Sequence, residues 1–487
     1  MNITSFQFLC FFTVLLALYY IIPKKMQWGL LLIASIGFFQ AAGEWWLIIY
    51  PVTTIMIIYF GALYLHRVKE QKKKQIVLSL VVVLCVFLLC ILKYFHLGLL
   101  APLGISFYTL TLLGYLFDVY YEIGEPETNI GRLALFGYYF PTMISGPIVQ
   151  YKEVKDQLYA GHAFDYTRVT FGLQRMIWGF FKKLVISERM GLVVNTVFNQ
   201  YQDHSGLTVV IGAVCFTFQL YTDFGGCMDI VIGASEALGI ILPENFDTPF
   251  FATNISEYWR RWHITLGTWL KNYLFYPLLR TKFFSTLPKK LKPKFGKKTA
   301  KKLTTYLAML ILWFTIGFWH GGLWKYIIGS GLLHWFYIVS GEVLEPLWKR
   351  LKTWFHVTDG SRGFVCFQRV RTFLLVTIGL IFFRADNVPA ACHMLGSIFK
   401  EWNPEILWNG YLFELGLDWI EFTIAVVSLC ILLLVSVLQQ KKGIRERIAE
   451  KPLPVRWIIF FAAIFYVILL GNYGPDFSAA EFIYQGF

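Results

Sequence analysis

The stretch "HRVKEQKKKQIVLSLVVVLCVFLLCIL" (residues 66–92) joins a run of cations to an uninterrupted run of apolar residues. The apolar part, from Ile76 to Leu92, advances about 26 Å as a helix, close to the ~30 Å of a hydrocarbon core. Backbone groups in lipid must be bonded within their own segment, so this run reads as a helix. Comparable runs occur at Phe6 to Ile22, Trp45 to Leu65, Leu303 to Phe318, Phe422 to Leu438 and Trp457 to Leu470. The 487 residues are 57% hydrophobic and 15% charged, against about 25% charged in a soluble domain. The reading is an all-α polytopic membrane protein of roughly ten to twelve spans, forming one membrane-embedded domain over residues 1–487.

The net charge of +14 would suggest nucleic acid in a soluble protein. Here the cations gather in "HRVKEQKKK" (66–74), "KKLKPKFGKKTAKK" (289–302) and "KKGIRERIAEKPLPVR" (441–456), each beside an apolar run. That is the signature of cytoplasmic loops, and no nucleic-acid partner is expected. A contribution to anionic lipid or to a phosphorylated donor is the other reading. With these loops inside, the first helix runs inward to Pro23-Lys24-Lys25 and the helix from Trp457 leaves outward. Both termini are then extracytoplasmic. Phe6 to Ile22 lacks the basic start and small-residue cleavage site of a secretory signal. The eight cysteines are scattered without a CxxC pair, and several lie in apolar runs, so they read as small buried hydrophobes.

The centre is different. Between Phe136 and Leu279 the apolar runs are short, and Pro141, Gly146, Pro147, Gly225, Gly226, Pro243 and Pro249 are expected to interrupt them. Irregular backbone at membrane depth is tolerated only when buried in protein or lining a cavity. Short or re-entrant helices are therefore expected here, with a folded cytoplasmic loop as the alternative.

His320 closes the run "WFTIGFWHGGLWKY" (313–326) and is followed by two glycines. An ionisable group at the end of a span beside a backbone break is a functional candidate, although a lone histidine on an apolar helix is more often structural. His263 lies in "EYWRRWHITLGTWLKNYLFYPL" (257–278), among Trp262, Arg260, Arg261 and Lys271. Neighbouring cations would keep its imidazole neutral, as a base requires; the alternative is an interfacial anchor. His320 and His334 are fourteen residues apart, about 21 Å along a helix, and HExxH is absent, so no metal site is expected. P-loop, GxGxxG and GxSxG are also absent.

The blocks "YTDFGGCMDIVIGASEALGIILPENFDTPFFATNISEYWRRWHITLGTWLKNYLFYPL" (221–278) and "FTIGFWHGGLWKYIIGSGLLH" (314–334) resemble the membrane-bound O-acyltransferase family. "FPTMISGPIVQY" (140–151), "FFRADN" (382–387) and the tail "FIYQGF" (482–487) support the likeness, which is greatest to the bacterial alginate and peptidoglycan O-acetyltransferase branch. Gly267 stands where members often have serine, and Gln485-Gly486 varies the tail. The core motifs fall within 136–335, and C-terminal helices and the tail within 419–487. The resemblance implies helices around a central tunnel, His320 as catalytic base and His263 as the second active-site residue, bonded to the acyl oxygen or orienting the acceptor. It further implies a tunnel and donor wall that includes Arg260, Arg261, Trp262, Lys271, Asp223 and Trp319. No bound cofactor is implied. The donor would be acetyl-CoA or another acyl thioester at the cytoplasmic face of a bacterial inner membrane. The eventual acceptor would be an extracytoplasmic polysaccharide, reached through a secreted or membrane-tethered, esterase-like (SGNH) transferase. Tyr484 is a candidate acyl acceptor, because an aryl ester releases phenoxide more readily than an alkyl ester releases alkoxide. D-alanyl transfer to teichoic acid and, from another class, polysaccharide transport are the competing readings.

Overall fold

The structure, a computed structural model, describes residues 1–95, 101–440 and 443–473. The described residues are helical apart from connections, with one isolated antiparallel bridge between Phe246 and Trp262. Seven helices are long and apolar enough to cross a membrane, or eight if the bent pair Trp324–Val343 and Glu345–Trp354 is one span. Phe6–Ile21 and Ile105–Tyr120 are apolar but shorter. Of the opening stretch, residues 71–92 lie in the helix Gln71–Tyr94, with Lys72, Lys73 and Lys74 in its first turn, and His66 and Arg67 end the helix before it. This is a multi-pass membrane protein.

The described chain divides into two compact units. One comprises Met1–Glu188, Tyr221–Glu244 and the described part of Val427–Phe487; the other comprises Arg189–Leu220 and Asn245–Val426.

In the first unit the helix Tyr166–Phe180 crosses the second half of Gly206–Ala237 through two glycine pairs. A Cβ on Gly172 would lie 2.5 Å from the Gly233 carbonyl oxygen, and one on Gly179 would lie 2.6 Å from that of Gly226. Each helix therefore brings two glycines, seven residues apart, against the other. This corrects the expectation that Gly225 and Gly226 break a span: Gly206–Ala237 runs unbroken for 32 residues. The absent side chain at Gly226 admits a neighbouring backbone and leaves its own helix intact.

That close crossing sets two lysines against two aspartates. Phe181–Ser187 is a π-helical turn, and Lys183 within it bonds Asp223 at 2.6 Å and Glu188 at 2.8 Å, all buried. Lys182 pairs with Asp229, which also accepts from Arg175 at 3.0 Å. Charges this deep persist only when paired.

In the second unit the long helix Lys282–Trp319 bends at Gly296, whose φ is +75°. Its C-terminal half packs on the π-helical segment Ile327–Leu332. A Cβ on Gly317 would lie 2.5 Å from Ile327 Cα, and one on Gly331 would lie 2.5 Å from the Trp313 carbonyl oxygen. Gly329 meets the helix Arg362–Arg384 at Gly379 in the same manner, 2.6 Å from its carbonyl oxygen. Three elements are thus in close contact, the first of them through the two turns of helix that precede His320.

Candidate active site

His320 caps the C-terminus of Lys282–Trp319, its N–H donating to the Ile316 carbonyl at 3.2 Å. Gly322, with φ +72°, then turns the chain away. The imidazole is 3% exposed and packs edge-on to Trp319 (5.0 Å between ring centres) and Phe383 (5.4 Å).

His263 arrives from a different direction. It sits between two short helices, Ile255–Arg261 and Ile264–Leu270, outside the candidate spans. Its φ of +46° and ψ of 50° place it in the left-handed region, which non-glycine residues occupy at a cost. Asn245 holds that conformation. Its main-chain carbonyl accepts from Ile264 N–H at 3.0 Å, and its side-chain Oδ1 lies 3.2 Å from His263 Nδ1.

The same Oδ1 accepts from Thr265 N–H at 3.1 Å and from the Thr265 hydroxyl at 2.9 Å. A backbone N–H can only donate, so the Asn245 atom at this junction is the oxygen. His263 Nδ1 must then carry the proton. Burial lowers the imidazole pKa to about 3, so the ring is neutral and Nε2 presents a lone pair. The cause is burial, and the adjacent arginines expected to keep the ring neutral are not part of it.

The rings of His263 and Trp319 are 5.9 Å apart, so Trp319 touches both histidines. These residues, 57 positions apart, therefore meet around one tryptophan. Trp262 is buried, stacked on Tyr258 and edge-on to Phe246. Arg261 is engaged within its own segment, by Glu257 (2.9 and 3.1 Å) and the Thr248 hydroxyl (3.1 Å). Arg260 is exposed, and exposed Lys271 lies over the Tyr276 ring. Asp223 belongs to the other unit and pairs with Lys183. Tyr484 lies outside the described residues. Asn245 and Phe383 were not singled out from sequence: eighteen residues separate Asn245 from His263, and no periodicity links them. Among the described residues, no cluster of His, Cys, Asp or Glu could hold a metal ion.

Residues 32–290 match the model of the membrane-bound O-acyltransferase family. The chain belongs to that family. The enzyme is 30% identical to the probable alginate O-acetylase AlgI of Pseudomonas aeruginosa over 426 residues, 82% of this chain and 74% of that protein. It is also 30% identical to a peptidoglycan O-acetyltransferase of Helicobacter pylori, over 71% of this chain and 68% of that one. A teichoic acid D-alanyltransferase of Bacillus subtilis is 28% identical over 59% of this chain and 69% of its own. This protein is therefore an O-acyltransferase of the membrane, with relatives named for O-acetylation and for D-alanylation.

Proposed function

We propose that this O-acyltransferase moves an acetyl group from acetyl-CoA at the cytoplasmic face of a bacterial inner membrane to an extracytoplasmic acceptor. The observation that carries this reading is the pair of buried histidines sharing Trp319. The acceptor hydroxyl gives its proton to the His320 imidazole as its oxygen attacks the thioester carbonyl. The C–O bond forms, the C–S bond breaks, and the imidazolium returns the proton to the departing thiolate.

His263, with its lone pair on Nε2, accepts a hydrogen bond from the acceptor hydroxyl and aims it. A contact with the acyl oxygen would need a proton on Nε2, which the bond to Asn245 opposes. Of the two roles expected from sequence, orientation is the one this tautomer supports. Asp223 is read as part of the scaffold through its pair with Lys183. Arg260 and Lys271, both exposed, remain the cations available to an anionic donor.

Acetylation is preferred to D-alanylation because the O-acetylating relatives match more of the chain and at higher identity. An extracytoplasmic polysaccharide is the proposed final acceptor, reached through a secreted or tethered transferase partner. The basic loops support extracytoplasmic termini, and on that topology the Tyr484 phenol is the proposed carrier of the acyl group between the two proteins. The shorter apolar helices Phe6–Ile21 and Ile105–Tyr120 are the ones that would raise the number of spans toward ten.

The test is His320→Ala. The variant should accumulate in the membrane and transfer no labelled acetate from acetyl-CoA to extracellular polymer. Wild-type transfer by that variant would end the proposal.

A further inference from the structure

The helix Glu345–Trp354 has no buried residue and follows Trp324–Val343 after a bend of 60°. At 100° per residue, Leu344, Leu347, Trp348, Leu351, Trp354 and Phe355 fall within an arc of about 120°. Lys349, Arg350 and Lys352 lie outside that arc. Trp348 is 50% exposed and Trp354 73%, so no described part of the chain covers this stripe. An apolar stripe backed by cations, bent away from the end of an apolar helix, has the composition of a helix lying in the membrane interface.

Beside it opens a cavity of about 470 Å³, lined by Lys298, Lys302, Tyr306, Glu342, Glu345 and Lys349 among others. Lys302 pairs with Glu342 at 2.6 Å and Lys349 with Glu345 at 2.7 Å. The third lysine, Lys298, makes no ion pair among the described residues. Three lysines against two glutamates leave the lining with one positive charge. Behind it, the segment 289–302 carries eight lysines and no acidic residue.

We propose that this cleft binds the headgroup of an anionic phospholipid. The phosphodiester sits against Lys298, and the acyl chains lie along the stripe of Glu345–Trp354. The lining's excess of one ammonium over its carboxylates matches the single charge of a phosphodiester. The continuity of that charge with an exposed apolar stripe fits an amphiphile better than a soluble phosphate or an acidic protein, which would leave Trp348 and Trp354 uncovered. A basic segment next to the bilayer draws anionic lipid in any case; the cleft adds a fixed position for it.

The experiment uses the full-length enzyme in vesicles of equal phosphatidylglycerol and phosphatidylcholine. Trace amounts of either lipid carry a photoactivatable group near the phosphate, and the labelled peptides are mapped by mass spectrometry. The phosphatidylglycerol probe should label residues 342–355 about five-fold more than the phosphatidylcholine probe, the ratio for one lysine beside an anionic lipid. Lys298→Glu turns the net charge of the lining negative and should abolish or reverse the preference, and Lys298→Arg should keep it. Because Lys298 is exposed, both variants should accumulate normally. Equal labelling of the wild type, or an unchanged preference in Lys298→Glu, would overturn the proposal. So would loss of the label on adding millimolar coenzyme A, which would assign the cleft to a soluble phosphorylated ligand.

Discussion

Replacing Asn245 with aspartate keeps the size of the side chain and its acceptor oxygen, and adds a charge at the atom that fixes His263. In the native protein that oxygen lies 3.2 Å from His263 Nδ1, and both residues are buried. Burial holds the His263 pKa at about 3, so its ring is neutral throughout any practical assay. A carboxylate about 4 Å from the centre of an imidazolium is worth ~4 kcal/mol at an effective dielectric constant of ~20. At ~1.4 kcal/mol per pH unit, the His263 pKa in Asn245→Asp rises by about three units, to about 6. A raised pKa populates the imidazolium below that value and leaves the neutral ring above it. The Nε2 lone pair is therefore lost as pH falls through about 6. Acyl transfer by Asn245→Asp should acquire an acidic limb falling up to ten-fold per unit below pH 6, while the wild type shows no limb from His263. The assay is the initial rate of transfer from labelled acetyl-CoA between pH 5 and 8 in inverted vesicles, normalised to enzyme present. Superimposable profiles would refute both the tautomer and the role given to it. Asn245→Leu separates this effect from folding: it strands three buried donors at about 1–3 kcal/mol each and should fail to accumulate at every pH.

Lys183→Met removes the ammonium shared by Asp223 and Glu188. Breaking one side of a buried ion network typically costs about 3–5 kcal/mol, so the detergent-solubilised protein should unfold at clearly lower temperature; an unchanged melting curve would show the network to be dispensable. Gly317→Ala places a methyl group 2.5 Å from Ile327 Cα, where overpacking costs about 1–3 kcal/mol. Because His320 follows three residues later, kcat should fall more than the amount of protein does, and a normal kcat would mean that the local packing does not position the base. Arg261→Gln loses the bonds to Glu257 and should lower stability without raising the KM for acetyl-CoA. A raised KM would return Arg261 to the donor site. Tyr484→Phe keeps the aromatic ring and removes only the oxygen. Loss of polysaccharide acylation with the partner complex intact is the outcome expected of an acyl-carrying phenol, and normal acylation would exclude it.

The membrane class, the helical spans and the candidacy of His320 were legible in the sequence because each rests on a local property. Seventeen residues after a lysine cluster, all but Ser79 apolar, must bond their own backbone wherever they sit in lipid, so Gln71–Tyr94 needed no tertiary information. The two-glycine break after His320 is likewise local, and Gly322 does turn the chain there. Gly225 and Gly226 carry the same local signal and yield an unbroken helix, because whether a glycine breaks a helix or admits a neighbour depends on what packs against it. At Gly226 the neighbour is the backbone at Gly179, and no stretch of sequence around position 226 reports that. The charged residues divide in the same way. Arg261 offers a cation in "WRRWH", and only the fold shows that Glu257 and Thr248 meet its guanidinium. The proton on His263 was decided furthest from its own neighbourhood. It rests on an oxygen eighteen residues earlier, whose orientation is dictated by a backbone N–H that cannot accept. Apolar patterning and chain breaks act over a turn or two and survive in a linear reading; hydrogen-bond direction and close packing are properties of pairs, and only the tertiary structure chooses the pairs.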